Sequence, residues 1–393
     1  MLFFLLPIIV LGHMAILIAV INRAHSTSLP RWLLKTGDAF WYVVMAGIPI
    51  AIGNWYLQQT MTGQPVEWST TTGTAIAIYC GLCALSAIVA VADRMYRIVN
   101  IRTTELLASN HTEKFSMLDR IGHRPVAGTL TSFCSHLPLN EILQLSVHEK
   151  HLILPRLDQR LDGLRITHLS DLHLTGQLTK PYYEELVEQA NQWESDFVVL
   201  TGDIVEHRPC LEWLPDTLGK LKARQGVYFV LGNHELKIKD EALVRKSLTD
   251  LGMIDLGGRA RLVRHNEAPI LFGGNELPWF TPAVDYDRFS GGEVAEDERP
   301  FRILLSHSPD QLRWARLNDV DLMMAGHTHG GQVRLPIIGP ILSPSNQGSR
   351  FASGTFYYSP TLMHVSRGIA GTRPLRLNCM PELARLVLNS PTG

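Results

Sequence analysis

The chain changes character near residue 92. Up to that point it carries five charged side chains, Arg23, Arg31, Lys35, Asp38 and Glu67. Its apolar residues run in three blocks at about 2–21, 39–57 and 73–92. Each block approaches the ~20 residues that a helix needs to cross a bilayer core. Trp41 and Tyr42 at one end of the second block, and Trp55 and Tyr56 at the other, sit where interfacial aromatics belong. Pro7 and Pro49 are costly in exposed soluble helices and tolerated in spanning ones. The pattern predicts a membrane anchor of three transmembrane helices over residues 1–92. A cleaved signal peptide fits less well: the first block lacks a basic leader, is long, and precedes two more spans.

Residues 93–149 read as a juxtamembrane connector, with a polar helix over 93–120, a turn-rich stretch over 125–138 and strand-like alternation over 141–154. From residue 165 short apolar runs recur at 165–169, 197–200, 227–231, 270–273, 302–305 and 322–325. Amphipathic stretches at 181–193, 211–223 and 240–251 lie between several of them. Strands alternating with helices predict an α/β domain over residues 150–393.

Charge and cysteine content remove several classes of function. With 36 Lys+Arg against 37 Asp+Glu, the chain lacks the basic excess that a broad nucleic-acid surface needs. Five Cys in 393 residues exclude a disulfide scaffold. Cys80 and Cys83 form a C-x-x-C inside an apolar run with no second pair, which reads as packing and not as zinc ligation. His13, in the first block, reads as a neutral side chain bonded to a neighbouring backbone.

The chemistry follows the strands. Asp171 and His173, Asp203, Asn233 and His234, His307, and His327 and His329 each come directly after a predicted strand. In open α/β sheets ligands bind beyond the carboxyl ends of strands, so five loops deliver carboxylates, an amide and imidazoles to one edge. Singly each signal is weak. The ordered set Asp171-Leu172-His173, Gly202-Asp203, Gly232-Asn233-His234-Glu235, Ser306-His307 and Gly326-His327-Thr328-His329 is not.

In that order these residues resemble the calcineurin-like metallophosphoesterase superfamily over roughly residues 150–390, in particular its bacterial membrane-associated branch. The stretches LDGLRITHLSDLH at 161–173 and GHTHGGQVRLP at 326–336 carry that likeness. The resemblance implies a β-sandwich flanked by helices and two divalent metal ions. It also implies a phosphoester or pyrophosphate substrate, cleaved by a hydroxide that both ions activate. It makes Asp203 the bridging ligand, with Asp171, His173 and His329 completing one site and Asn233, His307 and His327 the other. Imidazole and oxygen donors without thiolate suit Mn, Fe or Zn better than Mg or Ca. His234 is implied to contact the substrate phosphate, as a charge stabiliser or proton donor. Glu206, three residues after Asp203, could orient His234 or be a plain surface carboxylate.

Departures narrow the class. Protein serine/threonine phosphatases of the superfamily carry arginines where this chain has His207 and Leu231, which demotes that activity. Nucleic acid is excluded as a partner by charge balance, and no protein partner is evident. A binding scaffold without turnover is the contrasting reading, but none of the seven ligands is missing. Arg23, Arg31 and Lys35 follow the first block, whereas residues 58–72 hold no Lys or Arg. The positive-inside rule then places a multi-pass anchor in the cell inner (plasma) membrane, with the amino terminus outside and the catalytic domain cytoplasmic. Confinement to a bilayer points to a lipid-linked phosphodiester or pyrophosphate; the resemblance, whose related branches split UDP-diacylglucosamine, implies that compound as the first candidate, and a soluble phosphodiester is the alternative. Two apolar loops, 277–280 and 336–342, either touch that bilayer or fold inward to cap the core.

Overall fold

The computed structural model describes every residue except 1, 62–65, 101–105, 290–297, 337, 372 and 392–393. The chain divides into two units, Met1–Arg102 and Thr103–Gly393.

The first unit holds α1 (Leu2–His25), α2 (Arg31–Met61) and α3 (Thr71–Asn100). All three are long and apolar enough to cross a membrane. Val43 and Ile50 on α2 and Ile88 on α3 are exposed, as expected of helices that meet lipid instead of water. A Cβ on Gly12 would lie 1.7 Å from the Cys83 carbonyl oxygen, so the close crossing of α1 and α3 requires a glycine there. His13 is buried, with Nδ1 2.5 Å from the Tyr79 hydroxyl and Nε2 3.2 Å from the Met45 carbonyl. The backbone partner expected from the sequence is present, together with a tyrosine that was not. Cys80 and Cys83 are free thiols, and Cys83 is buried.

The second unit opens with β1 (Leu107–Ser116), α4 (Met117–Ile121), α5 (Thr129–Ser135) and β2 (Gln144–Ile153). There follow β3 (Leu164–Leu169), α6 (Lys180–Asn191), β4 (Phe197–Thr201), β5 (Val227–Val230), α7 (Glu241–Thr249) and β6 (Ile254–Asp255). Next come β7 (Ala260–His265), β8 (Ala268–Asn275), β9 (Phe301–Ser306), α8 (Leu312–Leu317) and β10 (Leu322–Ala325). The short β11 (Arg334–Leu335) and β12 (Gly339–Pro340) precede β13 (Gly354–Tyr358), β14 (Thr361–Val365) and β15 (Glu382–Asn389). One sheet runs β1-β2-β15-β3-β4-β5-β6 and the second β13-β14-β10-β9-β8-β7; β11 and β12 pair as a hairpin.

Period-2 alternation explains the layers. In β4, Phe197 and Val199 pack with Phe272, Ile303 and Met324 of the second sheet. Val198 and Leu200 face the other way and pack with Tyr183 and Leu186 of α6. Both faces are covered, so the central strands read as unbroken apolar runs. Aromatic rings fill the middle, with Tyr228 stacked on Phe272 at 4.7 Å and Phe197 against Phe272 at 4.9 Å. The expected sandwich flanked by helices is the fold observed.

Two expectations are corrected. Residues 107–116 form β1 instead of continuing a polar helix, and β1 and β2 belong to the first sheet, with β15 pairing parallel to β2. The stretch read as a connector over 93–149 therefore supplies two strands to the same sheet as the site-bearing ones, while its residues 101–105 lie outside those described. Around 211–223 the chain forms 3₁₀ turns over Arg208–Asp216 and Leu218–Lys220 instead of an α-helix. Pro209 and Pro215 lack the N–H that a helix interior uses.

Candidate metal centre

β3, β4 and β5 run parallel in the first sheet, and β8, β9, β10 and β14 run parallel in the second. Their carboxyl ends deliver all the polar motifs. Asp171 and His173 follow β3, Asp203 and Glu206 follow β4, Asn233 and His234 follow β5, His307 follows β9, and His327 and His329 follow β10. Five of these, Asp171, His173, Asp203, His327 and His329, have positive φ between 44° and 71°. Such angles cost non-glycine residues on the order of 1–3 kcal/mol and persist where surrounding structure imposes them. Here they turn the side chains inward from the strand ends.

The ligand atoms cluster in three overlapping groups: Asp171, His173, Asp203 and His329; Asp203, His307 and His327; and, towards the rim, His173, Glu206 and His234, each within 4.8 Å. Asp203 Oδ2 lies at the centre, 3.5 Å from His173 Nε2 and 3.3 Å from His307 Nε2. His329 Nε2 is 3.3 Å from His173 Nε2 and 3.6 Å from Asp171 Oδ1. His307 Nε2 is 3.2 Å from both Asn233 Oδ1 and His327 Nδ1. Two donors about 2.1 Å from a shared ion at tetrahedral or octahedral angles lie roughly 3.0–3.4 Å apart, close to these spacings. Asp203 Oδ2 and His327 Nε2 are buried with no hydrogen-bond partner among the described residues. A buried carboxylate oxygen left that way is expensive unless a cation meets it. The donor set therefore fits a pair of divalent ions.

Backbone and carboxylate partners fix the rings. His307 Nδ1 donates to the Thr201 carbonyl at 2.7 Å and His329 Nδ1 to the Ala370 carbonyl at 3.2 Å. His173 Nδ1 donates to Glu206 Oε2 at 2.9 Å. For His173 and His329 the bond leaves Nε2 with its lone pair towards the centre. Burial holds His173 and His329 at about 3 and His327 well below the ordinary histidine value, so all three are neutral donors at pH 7. His307 is the exception: burial opposes its cation, but the Asp203 carboxylate outweighs this and lifts it to about 9. The carboxylates thus attract positive charge to this spot. Gly232 lets the β5 loop approach, since a Cβ there would lie 2.4 Å from Asp203 Oδ1.

His234 stands at the rim. Its Nδ1 donates to Glu206 Oε2 at 2.8 Å, while Nε2 lies 3.9 Å from Asp203 Oδ2. Glu206 therefore holds His234, as the sequence allowed, and also His173 and Lys237. Sequence reasoning missed Glu235, whose buried carboxylate accepts from the backbone N–H groups of Gly232, Ile204 and Val205 at 2.6, 2.6 and 3.0 Å. It ties the β4 and β5 loops together. The Trp279 ring packs on His307 and His327 at 5.3 and 4.8 Å, and Phe280 is buried in the core. Loop 277–280 folds inward. In loop 336–342, Ile338 and Leu342 are exposed, and Ile337 lies outside the described residues.

A calcineurin-like phosphoesterase family model matches residues 164–331, the stretch from β3 to the turn after His329. An uncharacterised metallophosphoesterase, YkuE of Bacillus subtilis, is 31% identical over 242 residues, covering 58% of this chain and 80% of its own. The chain belongs to the calcineurin-like phosphoesterase family. The phosphodiesterase YaeI of Escherichia coli is 28% identical over 57% of this chain and 82% of its own. A bovine transmembrane protein with a metallophosphoesterase domain is 27% identical over 82% of this chain and 73% of its own. Members of this family generally bind two divalent metals, and this chain is a hydrolase of phosphoester bonds associated with a membrane.

Proposed function

We propose that this calcineurin-like phosphoesterase is a membrane-anchored phosphodiesterase or pyrophosphatase in which Asp203 would be the ligand shared by two metal ions. Asp171, His173 and His329 complete the first site, and Asn233, His307 and His327 the second. The observation that carries the reading is the buried Asp203 Oδ2, which lies 3.5 Å from His173 Nε2 and 3.3 Å from His307 Nε2, between the two groups of ligand atoms. Divalent ions in such a pair acidify water and neutralise phosphoryl oxygens. Nitrogen and oxygen donors without thiolate favour Mn, Fe or Zn.

The remaining work falls to the chain's own groups. Glu206 accepts from His234 Nδ1, which leaves Nε2 facing the centre. From there a protonated His234 gives its Nε2 proton to the leaving oxygen as the P–O bond breaks, and Glu206 stabilises the imidazolium beforehand. Lys237 pairs with the other Glu206 oxygen.

For the anchor we take the Lys/Arg asymmetry to place the catalytic unit in the cytoplasm, with the amino terminus outside the inner membrane. Confinement to a bilayer supports a lipid-borne phosphodiester or pyrophosphate, with UDP-diacylglucosamine the first compound to try. The test is kcat/KM for an acylated nucleotide-sugar pyrophosphate and its deacylated counterpart, with full-length protein in mixed micelles. A higher value for the acylated compound is expected. Equal values would move the assignment to a soluble phosphodiester.

A further inference from the structure

We propose that the catalytic unit carries a second binding surface, a basic apolar face beside the metal centre that docks on an anionic lipid bilayer. α5 and the turn after it leave Leu130, Phe133 and Leu139 at 68%, 65% and 82% exposure. Leu335, Ile338 and Leu342, in and around the β11–β12 hairpin, are exposed as well. Long-range pairing brings the two segments together. Leu377 bridges to Asn140 on one side and to Val333 on the other. Asn140 Nδ2 donates to the Pro374 carbonyl at 2.9 Å, and Asn378 Nδ2 to the Arg334 carbonyl at 3.1 Å. Single exposed leucines are ordinary on a soluble domain. Six large apolar side chains on two adjoined segments mark an interaction surface.

Charge selects the occupant. The chain as a whole is balanced, yet residues 120–140 and 330–381 hold seven Arg and no Asp or Glu. Arg376 is buried and Arg367 pairs with the buried Glu382 at 3.6 Å, while Arg120, Arg124, Arg334, Arg350 and Arg373 are partly or fully exposed. Apolar side chains among basic ones suit the interface of an anionic leaflet, where the former enter the acyl boundary and the latter meet headgroups. The three spanning helices of the same chain keep a bilayer within reach.

The face adjoins the chemistry. The Ala370 carbonyl that orients His329 also accepts from the Arg376 guanidinium, and Cys379 Sγ contacts the His329 carbonyl at 3.4 Å. Residues 376–379 therefore touch both the docking face and a ligand loop. The surface is independent of which phosphoester is cleaved, and its test does not use turnover of a lipid.

The test is amide hydrogen exchange of the full chain in nanodiscs of phosphatidylcholine, and in discs where phosphatidylglycerol replaces about a third of it. Exchange over 128–139 and 334–342 should slow about ten-fold in the anionic discs, and high salt should reverse this. Leu130→Ser with Phe133→Ser should remove the protection while β4 stays protected and a soluble phosphodiester turns over as before. Should that pair disturb folding, Arg334→Glu makes the same comparison from the other segment. Equal exchange in both lipids would overturn the proposal. So would protection that follows the number of chains per disc, which would assign the face to a second copy.

Discussion

Glu206 shows how one side chain serves two roles at this centre. Its Oε2 accepts from His173, a metal-ligand candidate, and from His234, the proton donor proposed here. Glu206→Gln keeps the shape but removes the charge that orients both rings. Turnover should fall about 10–100-fold, with looser metal retention than in the wild type. Metal analysis after dialysis, alongside kinetics, checks this; unchanged turnover would reduce Glu206 to a surface carboxylate. The candidate ligands themselves were legible in the sequence, because packing alone does not call for Asp, His and Asn in fixed order at the ends of apolar runs. Their positioning partners were not. The Thr201 and Ala370 carbonyls that orient His307 and His329 are backbone atoms, which any residue supplies. Glu235, next to His234, looked like part of a motif and is a buried clamp on two loops.

At the scale of elements, legibility follows burial. β3, β4, β5, β9 and β10 are covered on both faces and stood out as apolar runs. β1 is largely exposed along an edge of the sheet, so its polar residues carried no period and resembled a helix. β15 takes its place between β2 and β3 through pairings more than two hundred residues apart, which local pattern does not encode. A buried polar cluster marks that junction: Lys150 of β2 pairs with Glu382 of β15 at 2.6 Å and lies 2.8 Å from His364 of β14. His148 on β2 is buried beside it, and burial, offset in part by Glu382, lowers its pKa to about 4. Unfolding returns it to about 6.5, so the unfolded chain binds more protons between those values. This group's contribution is lost as pH falls from about 6.5 to about 4, on the order of 3 kcal/mol in all. His148→Gln should flatten that part of the stability–pH curve measured by denaturant unfolding; a parallel curve would show that His148 does not carry it.

The whole molecule joins three helices long and apolar enough to cross a membrane to a phosphoesterase domain. Orientation rests on Arg23, Arg31 and Lys35 after the first span and on the absence of Lys and Arg from residues 58–72. A reporter fused after Gly393 should be active in the cytoplasm, and one inserted within residues 60–70 should report the outside. An external carboxyl terminus would reverse the topology and leave the centre intact. The centre itself is tested most directly by measuring metal content and phosphodiester turnover together, in the full-length protein and two variants. The wild type should retain two divalent ions per chain and lose turnover on chelation. Asp203→Asn should lose ions and turnover together, because the shared ligand goes. His234→Asn should keep both ions while turnover drops about 10²–10⁴-fold. A full complement of ions in Asp203→Asn, or their loss in His234→Asn, would contradict the account.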